Sequence, residues 1–460
     1  MNRTFEVRSP ATGEVIGAIA DHSAGDAARI AEMATQAFET WKRTTPFERS
    51  EILLRWCELI LQNQEGLAGI MTQEMGKPIR EARGEVKYAA DFVKWYAEEA
   101  KRIHGETFAS PVKQKRLMTI KQPVGPVFAV TPWNFPAAMV TRKAAPALAA
   151  GCTFVLKPAE QTPLSALRLQ ELWQEAGGPP GTLQVVPALD PVPIADALIG
   201  DPRIRKVTFT GSTEVGKILY EKSAKTVKRV SLELGGHAPF IVFAGADVDQ
   251  AVQEAIACKF RNAGQTCVCT NRIYVQRDIV GVFADKYVAA TRKLRVGDPL
   301  RDDTDVGPLV DARGRAKVER HVRDALDKGA KLLAGGRALR GLYFEPTVLL
   351  DVSESMQIMQ EETFGPVAPL ITFDSEEEVV RLANDTPFGL AAYLYTKDLA
   401  QAFEVSEALE YGIIGVNDGM PSAPHAPFGG IKESGLGREG CHWGIDEYLE
   451  VKYISLGVGR

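Results

Sequence analysis

The 460-residue sequence has no long apolar run and no block of basic residues. A membrane-spanning helix needs roughly 18 or more apolar residues in a row, and the most apolar window, residues 136–150, is interrupted by Arg142 and Lys143. The N-terminal residues lack the apolar core of a signal peptide. The net charge is −5, and without a basic cluster the composition does not support binding to nucleic acid or to an anionic membrane.

Cysteine is also scarce. The six cysteines have no paired zinc-type spacing, and they lie at positions 57, 152, 258, 267, 269 and 441. This distribution favours reduced thiols over a disulfide framework, and it predicts no metal site. We therefore expect a soluble cytoplasmic protein. Because 460 residues exceed what one hydrophobic core usually fills, we expect two or three domains.

The chain does contain two kinds of hydrophobic pattern. Apolar residues at three- and four-residue steps predict long amphipathic helices between Ser23 and Ile103. From Gly125 onward, short apolar strands alternate with helices, which predicts βαβ units and a mostly parallel sheet of the dinucleotide-binding kind. The predicted strands are 127–130, 153–156, 183–186 and 205–209, and the predicted helices are 136–150, 163–176, 194–199 and 214–224.

A second α/β region begins near His237. Its predicted strands are 240–243, 272–275, 367–373 and 391–395, with helices at 246–261, 376–384 and 399–409. Cys267 lies near the start of this region, and clefts between domains are frequent sites of substrate pockets. The one Gly-x-Gly-x-x-Gly match, Gly435 to Gly440, follows no predicted strand, so we expect a loop there.

Cys267 is the first candidate for chemistry. Most cysteines are small buried hydrophobic residues, but the preceding segment, Asn262-Ala-Gly-Gln-Thr266, is polar and contains a glycine. A turn between a predicted helix and a predicted strand could expose the thiol, which then forms the thiolate that attacks carbon. The context is compatible with both roles, core residue and nucleophile.

Glu233 stands between apolar residues, 34 positions before Cys267. A buried carboxylate is either paired in the structure or a base with a shifted pKa, because an unpaired buried charge is costly. Gly235 and Gly236 follow it and allow a close backbone approach. A thiol and a carboxylate base in one pocket could oxidise an aldehyde through a covalent intermediate.

Three further segments lie where predicted strands end. Asn134, held between two prolines, could donate its amide to an oxyanion or only cap a helix. Gly211 and Ser212 occupy a strand-to-helix turn, where backbone N–H groups favour phosphate. Lys157 and Glu160 end another strand, where adenosine-binding groups are placed. A carboxylate there suits ribose hydroxyls and repels a 2′-phosphate, which favours NAD. The alternative is that Lys157 only marks the solvent-exposed end of a strand.

Seven segments occur in the order found in the NAD(P)-dependent aldehyde dehydrogenase superfamily, and the chain resembles this family along essentially its whole length. They are Trp133-Asn-Phe-Pro136, Lys157-Pro-Ala-Glu160, Phe209-Thr-Gly-Ser212, Glu233-Leu-Gly-Gly236, Gly264-Gln-Thr-Cys267, Glu361-Glu-Thr-Phe-Gly-Pro366 and Pro427-Phe-Gly-Gly430. The resemblance implies an α/β fold with a parallel-sheet cofactor domain, an α/β catalytic domain and a small β oligomerisation arm. The implied bounds are 1–107 and 124–234 for the cofactor domain, 235–430 for the catalytic domain, and 108–123 and 445–460 for the arm of a homodimer or homotetramer.

The resemblance also implies roles for individual residues. Cys267 would be the nucleophile, Glu233 the general base, and Asn134 with the Cys267 backbone amide the oxyanion hole. The implied cofactor is NAD, with NADP as the alternative. The implied cofactor-binding residues are Trp133, Lys157, Glu160, Gly211, Ser212, Leu234, Glu362 and Phe364.

The implied reaction fits these residue types. The Cys267 thiolate attacks the aldehyde, loss of hydride to the nicotinamide gives a thioester, and Glu233 activates the water that hydrolyses it. Because the thiolate must form first, we predict a thiol pKa below the free value of about 8.5. A CoA-acylating reductase on the same scaffold is less compatible with Glu233, which would hydrolyse its thioester. The third hypothesis is a non-catalytic binding protein on this fold.

Within the family, the chain is most similar to succinate-semialdehyde dehydrogenases. By that resemblance, Arg142 and Arg261 would bind the distal carboxylate, although either arginine could instead pair with an acid on a helix. The loop 417–426 is richer in proline than the usual loop of the subgroup, and it contains Ser422, which could contact the carboxylate, and His425. These departures leave glutarate semialdehyde or a sulfonated aldehyde as alternative substrates.

Cys269 follows the nucleophile by two residues. The resemblance to some members of the subgroup implies that Cys267 and Cys269 form a redox switch. A bystander thiol is the alternative.

Overall fold

The computed structural model of the chain describes residues 3–459, so the outermost positions of the predicted terminal segments, 1–2 and 460, lie outside the described residues. The chain begins with an antiparallel hairpin that the sequence pattern did not predict, and the predicted long helices follow it. These elements are β1 (Thr4–Arg8), β2 (Val15–Ala20), α1 (Ala24–Trp41), α2 (Pro46–Gln62), α3 (Gln64–Met75) and α4 (Ile79–Glu99).

Two strands, β3 (Thr107–Phe108) and β4 (Lys115–Pro123), lead into the first α/β region. That region contains β5 (Val127–Val130), α5 (Ala138–Ala150), β6 (Phe154–Lys157), α6 (Pro163–Glu175), β7 (Leu183–Val185), α7 (Pro191–Gly200), β8 (Lys206–Thr210), α8 (Thr213–Ala224) and β9 (Arg229–Glu233). The five strands are parallel, in the order β9-β8-β5-β6-β7. The chain winds outward from β5 on one side and returns to its other side at β8. Ligands bind beside such a reversal, at the carboxyl ends of the strands.

The second α/β region forms a seven-stranded sheet. Its elements are β10 (Ala238–Val242), α9 (Val248–Phe260), β11 (Thr270–Gln276), α10 (Val280–Thr291), α11 (Ala312–Asp327), β12 (Lys331–Ala334), β13 (Thr347–Leu350), α12 (Gln357–Gln360), β14 (Val367–Phe373), α13 (Glu376–Asn384), β15 (Ala391–Tyr395), α14 (Leu399–Ala408) and β16 (Ile413–Val416). The strand order is β12-β13-β14-β11-β10-β15-β16, and only β12 is antiparallel to its neighbour. Every residue of β10 and β15 is buried, as expected for parallel strands that are covered on both faces.

The C-terminal segment contains β17 (Gly435–Leu436), α15 (Cys441–Asp446) and β18 (Leu449–Gly457). The prediction of a loop at Gly435–Gly440 is wrong at its start, because β17 pairs antiparallel with β9 and places Gly435 opposite Glu233. A Cβ atom at position 435 would lie 2.0 Å from the Leu232 carbonyl oxygen, so the pairing requires glycine. β18 pairs with β4, and β4 with β3, in a separate three-stranded sheet.

The two α/β regions have separate hydrophobic cores. One core fills the seven-stranded sheet and its helices, and two others lie on the two faces of the sheet that contains β5 to β9. All residues of α5 are buried, so the helix that follows the Asn134 turn lies inside the molecule. No helix within residues 3–459 is both long enough and apolar enough to cross a bilayer.

Candidate active site

Neighbouring parallel strands bring the predicted residues to one edge of the first sheet. Asn134 follows β5, Lys157 is the last residue of β6, Gly211 follows β8, and Glu233 is the last residue of β9. These four strands are adjacent in the sheet. The grouping of these residues, which were selected separately from the sequence, therefore follows from the topology.

Cys267 lies at the boundary of two cavities. The first cavity, of about 360 Å³, contains Trp133 and Asn134 in its lining, and the second cavity, of about 350 Å³, contains Arg142 and Arg261. Cys267 contributes to both linings. A thiol in this position can meet one molecule from each side.

The nucleophile loop, defined here as residues 261–267, has an unusual backbone. Asn262 and Ala263 have φ values of 52° and 55°, and Gly264 has a φ of 75°. Left-handed non-glycine residues cost roughly 1–3 kcal/mol each and persist where the surroundings determine the conformation. A Cβ atom at position 264 would lie 2.2 Å from the Gly365 carbonyl oxygen, so the loop packs directly against the segment that carries Glu362.

The prediction of a lowered thiol pKa is wrong for the protein without ligand. The pKa of Cys267 is raised to about 12, mainly by burial; the Arg142 and Arg261 guanidinium groups lower it, and the Glu362 and Glu233 carboxylates contribute to the rise. The sequence context suggested an exposed polar loop, but the fold encloses the thiol between two cavities. The thiolate therefore needs an additional positive charge or a base.

Glu233 is buried and does not contribute to the lining of either cavity. Burial and then the charge of Glu439 raise the pKa of Glu233 well above its usual value, while Arg142 and Lys143 lower it. The Glu233 Oε2 atom is buried without a hydrogen-bond partner among the described residues. The group is thus the perturbed carboxylate that a general base requires, with its carboxyl turned toward Glu439.

Asn134 is held by both its side chain and its backbone. Its amide Nδ2 donates to the Gln265 carbonyl oxygen at 3.0 Å, inside the nucleophile loop. Its own carbonyl oxygen accepts from Lys77 Nζ at 2.8 Å. Lys77 is buried and ion-paired with Glu85. Glu85 Oε1 in turn accepts from the backbone N–H groups of Ala137 and Ala138, at the start of α5. The amide is therefore oriented toward the loop that carries Cys267.

Six of the eight predicted cofactor-binding residues line the first cavity. They are Trp133, Gly211, Ser212, Leu234, Glu362 and Phe364. Lys157 and Glu160 do not line it; they form a 3.1 Å ion pair at the end of β6, beside β5. The sequence interpretation missed a charged wall at the start of α11, formed by Asp311, Arg313 and Lys317. An acidic residue before a helix is too common in sequences to have identified that wall.

The walls of the first cavity fit a dinucleotide. Ser212 is the N-cap of α8, so the unpaired N–H groups of that helix lie at the cavity, where phosphate binds favourably. Glu362 accepts from the Gly236 N–H at 3.3 Å, and burial raises its pKa to about 7. The Trp133 and Phe364 rings meet edge to face with centroids 5.5 Å apart. Aromatic walls, a carboxylate and a helix N-terminus match the parts of such a cofactor.

The second cavity contains all three residues predicted to bind the acidic end of the substrate, Arg142, Arg261 and Ser422. Arg142 is already ion-paired with Glu439, and its guanidinium group lies 4.1 Å from the Phe428 ring centroid. For Arg261 no ion pair is present among the described residues. The two arginines therefore differ, because among the described residues only Arg142 forms an ion pair with a carboxylate, whereas Arg261 has the Glu81 carboxyl nearby without an ion pair.

Three carboxylates near the second cavity were missed by the sequence interpretation. Glu81 and Glu85 of α4 line the cavity, and Glu439 pairs with Arg142 and Lys143 beside it. A signal was present for the first two, because Glu81 and Glu85 are spaced by four residues, which places them on one face of a helix.

Two predicted features lie outside both cavity linings. His425 packs near Trp95, with ring centroids 6.1 Å apart, and does not line the second cavity. Cys269 is buried, and its thiol contacts the Lys259 carbonyl oxygen at 3.5 Å. Its role as a redox partner of Cys267 stays a prediction.

Comparisons with known proteins agree with this arrangement. Residues 1–454 match the model of the aldehyde dehydrogenase family. The chain is 54% identical to a glutarate-semialdehyde dehydrogenase of Pseudomonas putida over 99% of this chain and 95% of that protein. It is likewise 54% identical to a 3-sulfolactaldehyde dehydrogenase of Pseudomonas putida over 99% and 94% of the two chains.

The fold has close counterparts among solved structures. The crystal structure of a succinate-semialdehyde dehydrogenase from Burkholderia pseudomallei superimposes with a TM-score of 0.98 and 52% identity, covering 99% of this chain and 95% of that chain. The predicted α/β fold and the resemblance stated from the sequence are confirmed. The chain belongs to the aldehyde dehydrogenase family.

Proposed function

We propose that this NAD(P)-dependent aldehyde dehydrogenase oxidises an aldehyde with an acidic group at its far end, and that succinate semialdehyde is the substrate. The observation that supports the acidic group is the second cavity, in which Arg261, a guanidinium group without an ion pair among the described residues, lies in the same lining as Cys267. A guanidinium group binds a carboxylate in a fork geometry. The loop 417–426 contributes Met420 and Ser422 to the same lining, which is compatible with a substrate that has a short carbon chain.

The first cavity is the place for NAD or NADP. Trp133, Leu234 and Phe364 would enclose the nicotinamide end, with Glu362 on its ribose and Gly211 and Ser212 on the pyrophosphate. When bound, the oxidised nicotinamide supplies a hydride acceptor and a positive charge. That charge favours the Cys267 thiolate, whose pKa burial raises to about 12 in the protein alone.

The chain's own residues would carry out the remaining steps. The Cys267 sulfur forms a bond to the aldehyde carbon, and the oxygen that becomes negative accepts from Asn134 Nδ2 and the Cys267 backbone N–H. Loss of hydride leaves a thioester on Cys267. The Glu233 side chain turns from Glu439 toward Cys267 and takes a proton from the water that releases the acid.

The adenosine end of the cofactor belongs to Lys157 and Glu160. The Glu160 carboxylate is partly exposed at the end of β6, where it would accept from ribose hydroxyl groups. A 2′-phosphate at the same place would be repelled. We therefore propose that NAD is used in preference to NADP.

Three of the four sheets among the described residues support the domain division 1–107 and 124–234, 235–430, and 108–123 with 445–460. The third part is the oligomerisation arm of the proposal, because β18 leaves Val451 and Tyr453 66% and 59% exposed. A homodimer or homotetramer would cover these residues. The free state of all six cysteines supports a reducing compartment such as the cytoplasm.

A panel of aldehydes tests the substrate. NADH formation is measured with succinate semialdehyde, glutarate semialdehyde, a sulfonated aldehyde and a neutral aldehyde of the same length as succinate semialdehyde. We expect the highest kcat/KM with succinate semialdehyde and no dependence on added CoA. If kcat/KM is highest with glutarate semialdehyde or the sulfonated aldehyde, that aldehyde becomes the proposed substrate, and the requirement for an acidic end stands. A highest value with the neutral aldehyde would contradict the proposal.

A further proposal concerns Cys269 as a redox partner of Cys267. Its support is the two-residue spacing. Peroxide treatment followed by a thiol reductant should give reversible inhibition of the wild type and irreversible inhibition of Cys269→Ala. Equal recovery in both proteins would contradict the switch.

A further inference from the structure

Glu81 connects α4 to the nucleophile loop. Its Oε2 atom accepts from the Asn262 backbone N–H at 2.8 Å. Asn262 is the first residue of the left-handed stretch that leads to Cys267. The hydrogen bond thus holds the loop at the point where its backbone takes the costly conformation.

From Asn262 the contacts continue to the catalytic groups. The Asn262 side chain donates to the Asn134 carbonyl oxygen at 2.9 Å and to the Gln265 carbonyl oxygen at 3.3 Å. Asn134 Nδ2 donates to that same Gln265 oxygen at 3.0 Å. A shift of Asn262 would therefore move both the oxyanion donor and the residue two positions before Cys267.

We propose that Glu81 is a positioning residue of the catalytic centre. Its carboxylate fixes the nucleophile loop from α4 and thereby sets the geometry between Cys267 and Asn134. This role is independent of which aldehyde is oxidised. It differs from a substrate-binding role for Glu81, which would act only on aldehydes that place a charge beside Arg261.

The charge of Glu81 adds a pH dependence to this role. Burial raises the pKa of Glu81 to about 7, and the cationic groups that face it, Lys77, Arg261 and Arg80, lower it. Glu85, one turn later on α4, is engaged with Lys77. Hydrogen bonds to an ionised acceptor are roughly twice as strong as neutral ones. The loop is therefore held more firmly above pH 7 than below it.

Two substitutions separate position from charge. Glu81→Gln keeps an oxygen that can accept from Asn262 and removes the charge, whereas Glu81→Ala removes both. Glu98→Ala is the matched control, because Glu98 lies on the same helix, is 45% exposed and pairs only with Lys101 at 3.6 Å. Unfolding midpoints and NADH binding confirm that the compared proteins are folded.

The measurement is the pre-steady-state burst of NADH, which reports formation of the thioester, at pH 6 to 8.5 with an acidic and a neutral aldehyde. We expect Glu81→Ala to slow the burst roughly 10- to 100-fold with both aldehydes, as misplacement of about 1 Å does. Glu81→Gln should stay within roughly threefold of the wild type at pH 6 and lose the wild-type increase between pH 6 and 8. Glu98→Ala should match the wild type throughout.

Other outcomes overturn the proposal. A slower burst with the acidic aldehyde alone would make Glu81 a partner of Arg261 in substrate binding. An unchanged burst in Glu81→Ala would remove any role in positioning. Should Glu81→Ala not fold, the pH profile of Glu81→Gln decides, because a purely structural residue would leave that profile parallel to the wild type. The ranking of aldehydes by the wild-type enzyme tests the substrate separately.

Discussion

At the scale of single residues, burial determines the behaviour of the reactive groups more than their neighbours in sequence do. Cys267 and Glu233 both have pKa values raised mainly by desolvation. Burial therefore favours the uncharged form of both groups in the protein without ligand. The proposed mechanism therefore requires that bound ligands change the surroundings of these groups before the charged forms arise.

Glu233→Gln should block release of the acid. The carboxylate accepts a proton only above its raised pKa, so hydrolysis of the thioester should become faster with increasing pH in the wild type. The variant should lose this increase and about 10²- to 10⁴-fold of turnover. Mass spectrometry should detect an acyl group on Cys267. An unchanged steady-state rate without an acyl adduct would contradict the role of Glu233.

Arg261 and Arg142 should respond differently to substitution by methionine. Arg261→Met should lower kcat/KM for the acidic aldehyde roughly 10- to 150-fold, the equivalent of about 1.5–3 kcal/mol, and lower that for the neutral aldehyde far less, through the loss of a cation beside Glu81 alone. Arg142→Met removes a partner of the buried Glu439, so it should lower the free energy of unfolding by up to about 3–5 kcal/mol. Denaturant unfolding and the aldehyde panel provide the two measurements. Equal effects of both substitutions on affinity would show that Arg142 also binds substrate.

Glu160→Gln should change the cofactor preference. Removing the carboxylate at the end of β6 removes its repulsion of a 2′-phosphate and one acceptor for the ribose hydroxyls. The ratio of kcat/KM for NADP to that for NAD should rise about tenfold, which corresponds to roughly 1.4 kcal/mol. A constant ratio would place the adenosine ribose elsewhere.

At the scale of elements, the predicted bounds agree with the structure where periodicity is strong. The predictions for 367–373, 376–384 and 391–395 match the observed elements. The helix expected from Pro136 begins at Ala138, because the Glu85 carboxylate of another helix accepts the N–H groups of Ala137 and Ala138. The hairpin of β1 and β2 was missed, since β2 is mostly exposed and lacks a buried apolar face.

Gly264→Ala should disturb the contact between the nucleophile loop and the Glu362 segment. The new Cβ would collide with the Gly365 carbonyl oxygen in a left-handed backbone, so we expect destabilisation of at least about 1–2 kcal/mol and a slower burst. Gly69→Ala in α3 is the control, because its Cβ would meet no atom within 4 Å. That change should stabilise the protein by about 0.5–1 kcal/mol. Thermal unfolding of both variants gives the comparison, and a neutral effect of Gly264→Ala would be unexpected.

At the scale of the whole molecule, we expect the proposed arm to hold copies of the chain together in an oligomer. Val451→Asp combined with Tyr453→Asp should reduce the mass measured by light scattering, because two charges would enter an apolar interface. Leu399→Asp, at a residue of α14 that is 73% exposed outside the arm, should leave the mass unchanged. A wild-type monomer, or an unchanged mass in the double variant, would contradict the arm.

The sequence by itself determined the α/β architecture and the position of most strands and helices, and its short motifs pointed to Cys267 as the proposed nucleophile, because periodicity and short motifs are local properties of the chain. The prediction that the thiol is activated in the protein alone was wrong, since desolvation depends on every element that surrounds Cys267. Only the tertiary structure decided that Arg142 is paired with Glu439 while Arg261 is not, and that Glu81 supports a loop about 180 residues later. These features join residues that are distant in the chain, and no local pattern encodes which of them will meet.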